Sequence, residues 1–471
     1  MSPAELAGGK APDGHGMSGG GVTNGSLPEL AQRVVAEAQS RGASAAECVI
    51  REGKEFSATV RLGEIEQLKQ AGGHTLGIRV FLGQRAASTY TSDFSWPAVT
   101  QMIDSALAIA RLASEDPAAG LPAPAELGRF EGDLAIYSPA AAALPANAGI
   151  ELARRAETAA LAADPRLRNS DGGSFESGES RRIYANSLGF AGSYRRSSCS
   201  IAAVPIAEQD GKMQRDYWFT VAHDPARLDS PEEVGRVAAQ RTLRRLGARK
   251  APTARVPVVF DAPVARSLLD SIFAAVSGEA VYRGASFLAG MLGQMVAAPG
   301  VTVVDDGTRS GGFGSAPFDG EGVAKRRTVV LQNGRLETYL LNCYTARKLD
   351  LRTTGNASRG LADTPGVGYG NLYLEPGALT PAELIGGIRQ GLLVTEFIGS
   401  GINIVTGDYS RGASGMWIEN GALAYPVEEI TVAGNLRDML RQIGAIGNDL
   451  EFRSAAAAPT LVVEGMTVAG Q

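Results

Sequence analysis

The chain has 471 residues, of which 44% are hydrophobic and 20% charged, and its formal net charge is −5 at pH 7. This length exceeds what one hydrophobic core usually organises, so we expect at least two domains. The negative charge gives no general electrostatic reason to bind nucleic acid, and no run approaches the roughly 20 apolar residues that a membrane-spanning helix needs.

The first 25 residues are rich in glycine and poor in apolar side chains, so they bury too little surface to offset the entropy of ordering. We therefore expect a flexible tail over residues 1–25. No signal-peptide pattern occurs in this stretch, which favours a cytoplasmic location. The three cysteines, Cys48, Cys199 and Cys343, are far apart and odd in number, which argues against a disulfide framework or a zinc knuckle.

Residues 26–247 carry a mixture of helical and strand patterns. Ser26 followed by Pro28 and Glu29 matches a capping box, and the apolar spacing after it predicts a helix to about Ser40. The later predicted elements are strands at 47–51, 56–61, 75–81 and 86–90, a helix after Ser95, a helix at 146–163, strands at 182–184, 190–195, 200–206 and 215–222, and a helix at 230–246. The basic, proline-containing stretch Ala248–Arg255 is the predicted boundary between a first domain, 26–247, and a second, 256–471.

The second domain is rich in strand patterns and has few helices. Val256–Phe260 predicts a buried strand and Val264–Val276 a helix. Asn333-Gly334 and Asn420-Gly421 each separate two strand-like segments, and this dipeptide tolerates the positive φ angles of a type I′ turn, so both predict hairpins. Because no βαβ alternation is long enough for a doubly wound sheet, the predicted class is α+β, with an N-terminal mixed α/β domain and a mainly antiparallel C-terminal β domain with short helices.

The segment Gly401–Leu450 has the densest set of structural signals. It predicts a strand at Ile402–Val405, a small-residue loop at Thr406–Gly415, a hairpin and a short capped helix. In the loop, Asp408 and Arg411 could hold a peptide backbone or a carboxylate, since arginine presents a fork of donors. An ion pair between the two that fixes the loop is an equally good interpretation, and both stay open.

The histidines, His15, His74 and His223, give no sign of a metal site. None lies within a helical turn of another, so no HExxH or HExxxH helix exists, and we predict surface or turn imidazoles. Ser410 lacks the GxSxG elbow of many hydrolases, although a base remote in sequence, such as His223, stays open.

Two glycine-rich stretches, Gly311–Gly314 and Gly366–Gly370, do not lie between a strand and a helix of a βαβ unit. They predict turns or close backbone packing rather than a nucleotide site. Asp305 and Asp306 are adjacent, so on a strand they would point to opposite faces; with Gly307 after them, we predict a turn rather than a catalytic pair.

Several motifs in this chain resemble the TldD/PmbA family, specifically its PmbA (TldE) branch. The resemblance covers nearly everything after the tail. It rests on these segments: Val60-Arg61 with Gly63-Glu64, Gly77–Val80, Asp305–Thr308, Thr354–Ala357, Gly407–Gly415, Trp417–Gly421, Tyr425–Val427, Gly447–Leu450 and Pro459–Leu461.

In this family a TldD subunit carries a zinc-binding HExxxH helix and pairs with a TldE subunit that lacks it, and together they cleave unfolded peptides. The resemblance places the metal helix on Leu268–Ala275, where Asp270, Ser271 and Ala275 stand at the positions of the first His, the Glu and the second His. TldD also supplies a cysteine ligand after Gly-Asn-Asp-Leu, and Glu451–Ala458 contains none. No metal site is therefore expected in this chain, and zinc is expected only in a TldD-like partner.

The resemblance implies a subunit that is catalytically silent alone and helps a TldD-like metallopeptidase to enclose an extended peptide, as in the maturation of peptide antibiotics and the degradation of antitoxins. The residues expected to contact peptide or partner are Asp408, Tyr409, Ser410, Arg411 and Ser414. A homodimer is possible when the partner is absent. The alternatives are an autonomous hydrolase around Ser410 and His223, and a stand-alone homodimeric peptide-binding protein.

Overall fold

The computed structural model describes residues 26–399 and 401–470, so the predicted tail, 1–25, lies outside the described residues. The N-terminal part contains the helices α1 (Leu27–Ser40), α2 (Trp96–Leu112), α3 (Pro139–Ala143), α4 (Ala146–Ala162) and α5 (Pro231–Leu243). Its strands are β1 (Ala45–Arg61), β2 (Glu64–Leu82), β3 (Arg85–Thr91), β4 (Leu167–Asn186), β5 (Ala191–Gln209), β6 (Lys212–Arg215) and β7 (Trp218–Ala222).

These seven strands form one antiparallel sheet in the order β3-β2-β1-β4-β5-β6, with β7 also paired to β5. Successive side chains of a strand point to opposite faces, and β1 shows the consequence. Cys48 and Ile50 are buried in the core that α1 and α2 cover. Val49 points the other way and packs with Tyr184 and with Phe318 from the C-terminal part. One face of the sheet thus carries helices, and the other contacts the second half of the chain.

The C-terminal part contains the helices α6 (Ala262–Val276), α7 (Gly278–Tyr282), α8 (Cys343–Lys348), α9 (Pro381–Gly386) and α10 (Leu436–Arg441). Its longer strands are β8 (Ala254–Phe260), β9 (Val303–Asp306), β10 (Arg327–Gln332), β15 (Gln390–Ile398), β16 (Asp408–Glu419), β17 (Ala422–Asn435), β18 (Ile443–Ile446) and β20 (Leu461–Ala469). The short strands are β11 (Arg335–Leu336), β12 (Ala357–Ser358), β13 (Gly366–Val367), β14 (Leu372–Leu374) and β19 (Ala456–Ala457).

The largest C-terminal sheet has the order β17-β16-β15-β8-β20-β18, and β17 also pairs with β20. This extra pairing closes β17, β16, β15, β8 and β20 into a ring, with Trp417 fully buried in the adjoining core. A second sheet has the order β11-β10-β9-β14-β19. Only β8 with β15 and β14 with β19 pair in parallel among the strands named here. The α+β class with a mainly antiparallel C-terminal part is confirmed.

Both predicted Asn-Gly hairpins are confirmed, with positive φ at Asn333 (49°), Gly334 (84°), Asn420 (50°) and Gly421 (78°). The predicted boundary at Ala248–Arg255 follows the strands of the first sheet and overlaps the first two residues of β8. Within the described residues, no helix combines the length and hydropathy needed to cross a membrane.

The prediction for Ile402–Gly415 is wrong. Only Ile402 makes a strand-like bridge, to Tyr409, and the predicted loop from Asp408 onward is instead the first half of β16. The small residues there fit a close strand contact, because a Cβ on Gly415 would lie 1.9 Å from the Leu393 carbonyl oxygen. Asp408–Gly415 is therefore part of a paired strand and not an exposed loop.

Candidate functional site

Helix α6 carries the three positions that the family resemblance singled out. Its apolar residues face the C-terminal core, and Ser271 and Ala275 are buried with them. The Ser271 hydroxyl donates a hydrogen bond to the Ser267 carbonyl oxygen (3.0 Å), one turn earlier. Asp270 is only half-buried and points away from that core.

Asp270 is engaged by an aromatic side chain from a distant segment. The Tyr369 hydroxyl donates to Asp270 Oδ1 at 3.2 Å, and the Tyr369 ring packs edge-on against Phe273 with centroids 4.8 Å apart. Burial raises the pKa of Asp270, and Arg266, Tyr369 and Arg411 oppose that rise. The residue at the first ligand position is thus a hydrogen-bonded acid.

The residues of α6 do not fit a zinc ion. Ala275 has no donor atom, and the Ser271 hydroxyl is occupied within the helix. The three cysteines are buried and unpaired, at other places in the fold. Across the described ranges, no group of three His, Cys, Asp or Glu side chains is arranged to hold a metal ion.

Tyr409 and Arg411 of β16 lie beside the same helix. Tyr409 is 2% exposed, and its hydroxyl lies near Ser267 and Arg411 without meeting hydrogen-bond geometry. Burial raises the pKa of Tyr409 to about 12. The Arg411 guanidinium stacks 4.4 Å from the Phe397 ring centroid, and its Nε and Nη2 donate to the Gly399 carbonyl oxygen (3.1 and 3.0 Å). Tyr409 and Arg411 thus lie on the side of β16 that faces α6 near Asp270.

The other candidates of β16 lie elsewhere. Asp408 and Ser410 alternate with Tyr409 and Arg411 along the strand, so they occupy its opposite, exposed face. Asp408 accepts hydrogen bonds from the Thr406 hydroxyl (2.7 Å) and, through its other oxygen, from the Asn435 amide (3.3 Å). No ion pair joins Asp408 to Arg411 in the described part of the chain, so that interpretation is wrong.

Ser414 is also not available at a surface, because it is buried within β16 beside Glu396 of β15. A backbone hydrogen bond joins the Ser410 amide to the Gly401 carbonyl oxygen (2.7 Å). The five candidates therefore do not form one site, and the strand divides them between two faces.

Of the two predicted positions for His223, surface or turn, the surface position is wrong: the residue lies in a bend directly after β7 but is not exposed. The ring is buried, its Nδ1 lies 2.5 Å from the Ser197 carbonyl oxygen, and it packs against Phe313 with centroids 4.9 Å apart. Burial lowers the pKa of His223. No hydrogen bond connects His223 to Ser410 among the described residues, so the geometry lends no support to a hydrolytic pair.

The two glycine-rich stretches pack against each other, so the predicted close backbone packing is confirmed. A Cβ on Gly314 would lie 1.8 Å from the Gly370 carbonyl oxygen, so only glycine allows this approach. The contact fixes the segment that carries Tyr369. Asp305 and Asp306 are the last two residues of β9, which corrects their predicted place in a turn. Asp305 is buried and accepts a hydrogen bond from the Gly370 amide (2.7 Å), and Asp306 Oδ1 accepts one from the amide of Thr308 (2.9 Å) in the turn that follows.

A pocket of about 240 Å³ lies where the N-terminal part meets the start of α6. Its lining combines aromatic side chains of and beside β7, charged side chains from three elements, and the small residues of β19 and its neighbours. The lining residues are Tyr217, Trp218, Phe219, Arg241, Asp261, Ala262, Pro263, Arg266, Asp449, Glu451, Arg453, Ser454, Ala456, Ala457 and Ala458. No local sequence motif predicts this pocket, because its lining residues are far apart in the chain.

Models of three domains of one family match this chain. They are the PmbA/TldA metallopeptidase domain 1 at residues 46–110, the central domain at 140–246 and the C-terminal domain at 253–470. The matches extend over both halves of the fold. They include α6, β16 and the segment after Gly447.

Full-length relatives support the same assignment. Metalloprotease PmbA of Escherichia coli O157:H7 is 38% identical, with 94% of this chain and 96% of that protein covered. The Metalloprotease PmbA homolog of Haemophilus influenzae is 37% identical over the same shares. The fold is shared with TldE from Thermococcus kodakarensis, at a TM-score of 0.85 and 21% identity, with 94% of this chain and 100% of that chain covered. The chain therefore belongs to the PmbA/TldD metallopeptidase family, in its PmbA branch.

Proposed function

We propose that this chain is a TldE/PmbA-type subunit of a metallopeptidase complex that cleaves unfolded peptides, and that it is inactive alone. The observation that carries the proposal is the chemistry of α6. A helix with Asp270, Ser271 and Ala275 offers neither the paired imidazoles nor the free carboxylate base that zinc-dependent water activation uses. The family membership supports a role in proteolysis. The lack of zinc ligands and of a general base on α6 supports a non-catalytic part in it.

The partner is a TldD-like subunit that carries the zinc, in a cytoplasmic complex. This chain would contribute a wall around the peptide. The surface beside α6 suits that task, since Asp270, Tyr369 and Arg411 offer polar contacts and Phe273 and Phe397 apolar ones. Extended peptides are held chiefly through main-chain groups, which tolerate many sequences. A homodimer forms where the TldD-like partner is absent.

The test compares this chain alone, a TldD-like partner alone and an equimolar mixture. Zinc content is measured by mass spectrometry, and cleavage is followed with an unstructured fluorogenic peptide. We expect zinc only where the partner is present and cleavage well above either single protein in the mixture. Stoichiometric zinc or robust cleavage by the isolated chain would overturn the proposal. Binding of the peptide without cleavage by any preparation would favour a stand-alone peptide-binding protein.

A further inference from the structure

Three arginines gather where the N-terminal sheet meets the segment after β12. Arg51 of β1 and Arg182 of β4 are directly paired across the two strands, so their side chains share one face of the sheet. Arg51 Nη2 donates a hydrogen bond to the carbonyl oxygen of Arg359 at 2.7 Å. We call Arg51, Arg182 and Arg359 the arginine cluster. Like charges directly opposite each other destabilise a sheet, so this placement has a cost that packing alone does not explain.

The cluster runs from the solvent to the interior. Arg51 is exposed, Arg182 is half-buried, and Arg359 is only 4% exposed. The cluster is therefore accessible to solvent at Arg51 and enclosed by protein at Arg359.

Several donors in the cluster are buried without a partner. Nε and Nη2 of Arg359 and Nε and Nη2 of Arg182 make no hydrogen bond in the structure. Buried N–H groups of charged side chains are costly when unmet, and buried charges in proteins are normally paired. The cluster therefore presents buried N–H donors that an acceptor group would satisfy.

Glu47 and Asp319, two carboxylates close to the cluster, already accept several hydrogen bonds. Glu47 is shared between two guanidiniums, at 2.5 Å from Arg359 Nη1 and 3.4 Å from Arg79 Nη1. Asp319 accepts backbone N–H groups, including that of Ala357 (2.9 Å). Within the described ranges, no carboxylate forms an ion pair with Arg51 or Arg182. Arg51 and Arg182 therefore have no directly bonded carboxylate in the described part of the chain.

We propose that the arginine cluster is a binding site for a carboxylate group. A guanidinium presents parallel N–H donors that match the two oxygens of a planar carboxylate, and two or three guanidiniums can hold one such group from different sides. Tyr194, opposite Arg182 on β5, adds an aromatic side chain to the same face. The carboxylate is the C-terminus of a peptide; this source rests on the proposed function, whereas the site itself does not.

The test is carried out on the full chain without a partner, so its outcome does not depend on cleavage. Isothermal titration calorimetry at low ionic strength compares four probes: N-acetyl-tetra-alanine with a free carboxylate, the same peptide as its amide, sodium acetate and inorganic phosphate. We expect the peptide acid to bind at least about tenfold more tightly than the amide. If acetate competes with the peptide acid, the site binds small carboxylates in general. If acetate does not compete, the site selects the carboxylate of a peptide.

The matched variants are Arg182→Gln and Arg181→Gln. Arg181 is the next residue on β4 but points to the other face, where it lies 3.9 Å from Glu52. Arg182→Gln should weaken binding of the peptide acid at least about tenfold, and Arg181→Gln should leave it unchanged.

Thermal unfolding gives a second readout. Without ligand, Arg182→Gln should unfold at a temperature equal to or above that of the unmodified chain, because it removes one of two opposed like charges. The carboxylate probe should raise the unfolding temperature of the unmodified chain and not that of the variant. Equal binding of acid and amide, equal losses in the two variants, or binding of phosphate alone would overturn the proposal.

Discussion

Glu47 is the residue whose loss should weaken the contact between the two halves most. It is 1% exposed on β1 and accepts hydrogen bonds from Arg359 (2.5 Å), Arg79 (3.4 Å) and the Tyr184 hydroxyl (2.7 Å). Arg359 comes from the C-terminal part, 312 residues away in the chain. A single carboxylate thus binds two buried guanidiniums, one of which comes from the other part of the chain.

The change Glu47→Gln keeps the shape and one acceptor oxygen but removes the charge. Removing one partner of a buried ion pair costs about 3–5 kcal/mol, because the remaining charge is left uncompensated. The retained bond from Tyr184 argues for the lower end, so we expect a loss of about 3 kcal/mol, a large fraction of a typical stability of about 5–15 kcal/mol.

Urea unfolding, followed by circular dichroism and tryptophan fluorescence, measures the loss. Glu375→Gln is the matched control, because Glu375 pairs with Arg327 (3.1 Å) at the surface, where an ion pair contributes less than about 1 kcal/mol. Losses of similar size in the two variants would refute the reasoning.

The pH dependence gives an independent check on Glu47. Burial opposes its ionisation, but Arg359 and Arg79 hold the pKa of Glu47 below the usual value of 4.5. A carboxyl with a lowered folded pKa stabilises the fold above its unfolded pKa, and that contribution disappears as the pH falls through the folded value. The difference between the unmodified chain and Glu47→Gln should therefore shrink on acidification below about pH 4.5.

Three further changes test the local reasoning by the same urea unfolding. Gly314→Ala should lower the free energy of unfolding by about 1–3 kcal/mol, because the added methyl group clashes with the Gly370 carbonyl. Gly386→Ala is the control, since its methyl group would meet open space, and should cause no loss. Equal effects of the two variants would contradict the close packing. Burial and Asp319 raise the pKa of Glu321 to about 7. Because the folded state then binds a proton more tightly than the unfolded state, the free energy of unfolding should fall by about 1–3 kcal/mol between about pH 5 and pH 8. Glu321→Gln should abolish that fall. Asn435→Ala should cost about 0.5–2 kcal/mol by removing the cap on the Arg437 amide (3.1 Å), and Asn435→Ser should restore most of it; a neutral Ala variant would rule out the cap.

Much of the local structure could be predicted because it depends on neighbours in sequence. The apolar spacing that predicts a helix at 146–163 matches α4 at Ala146–Ala162, and the helix predicted at Val264–Val276 matches α6 to within two residues. The Asn-Gly hairpins follow from the φ angles that these two residues tolerate.

The misassigned loop at Thr406–Gly415 shows where local patterns fail. Gly412, Ala413 and Gly415 have low strand propensity, so the pattern predicts a turn. Their small size is required instead by close neighbours, such as the Leu393 carbonyl at Gly415. That requirement arises only once β15 and β16 are paired.

The sequence by itself determined the family, the fold class and the chemistry absent from α6, because these depend on residue types at fixed spacings. Only the tertiary structure decided that Tyr409 and Arg411 face the helix of Asp270, that His223 is buried, and that Arg51, Arg182 and Arg359 converge. Each of these facts joins segments far apart in the chain. Such contacts depend on how whole sheets pack, so local sequence patterns do not predict them.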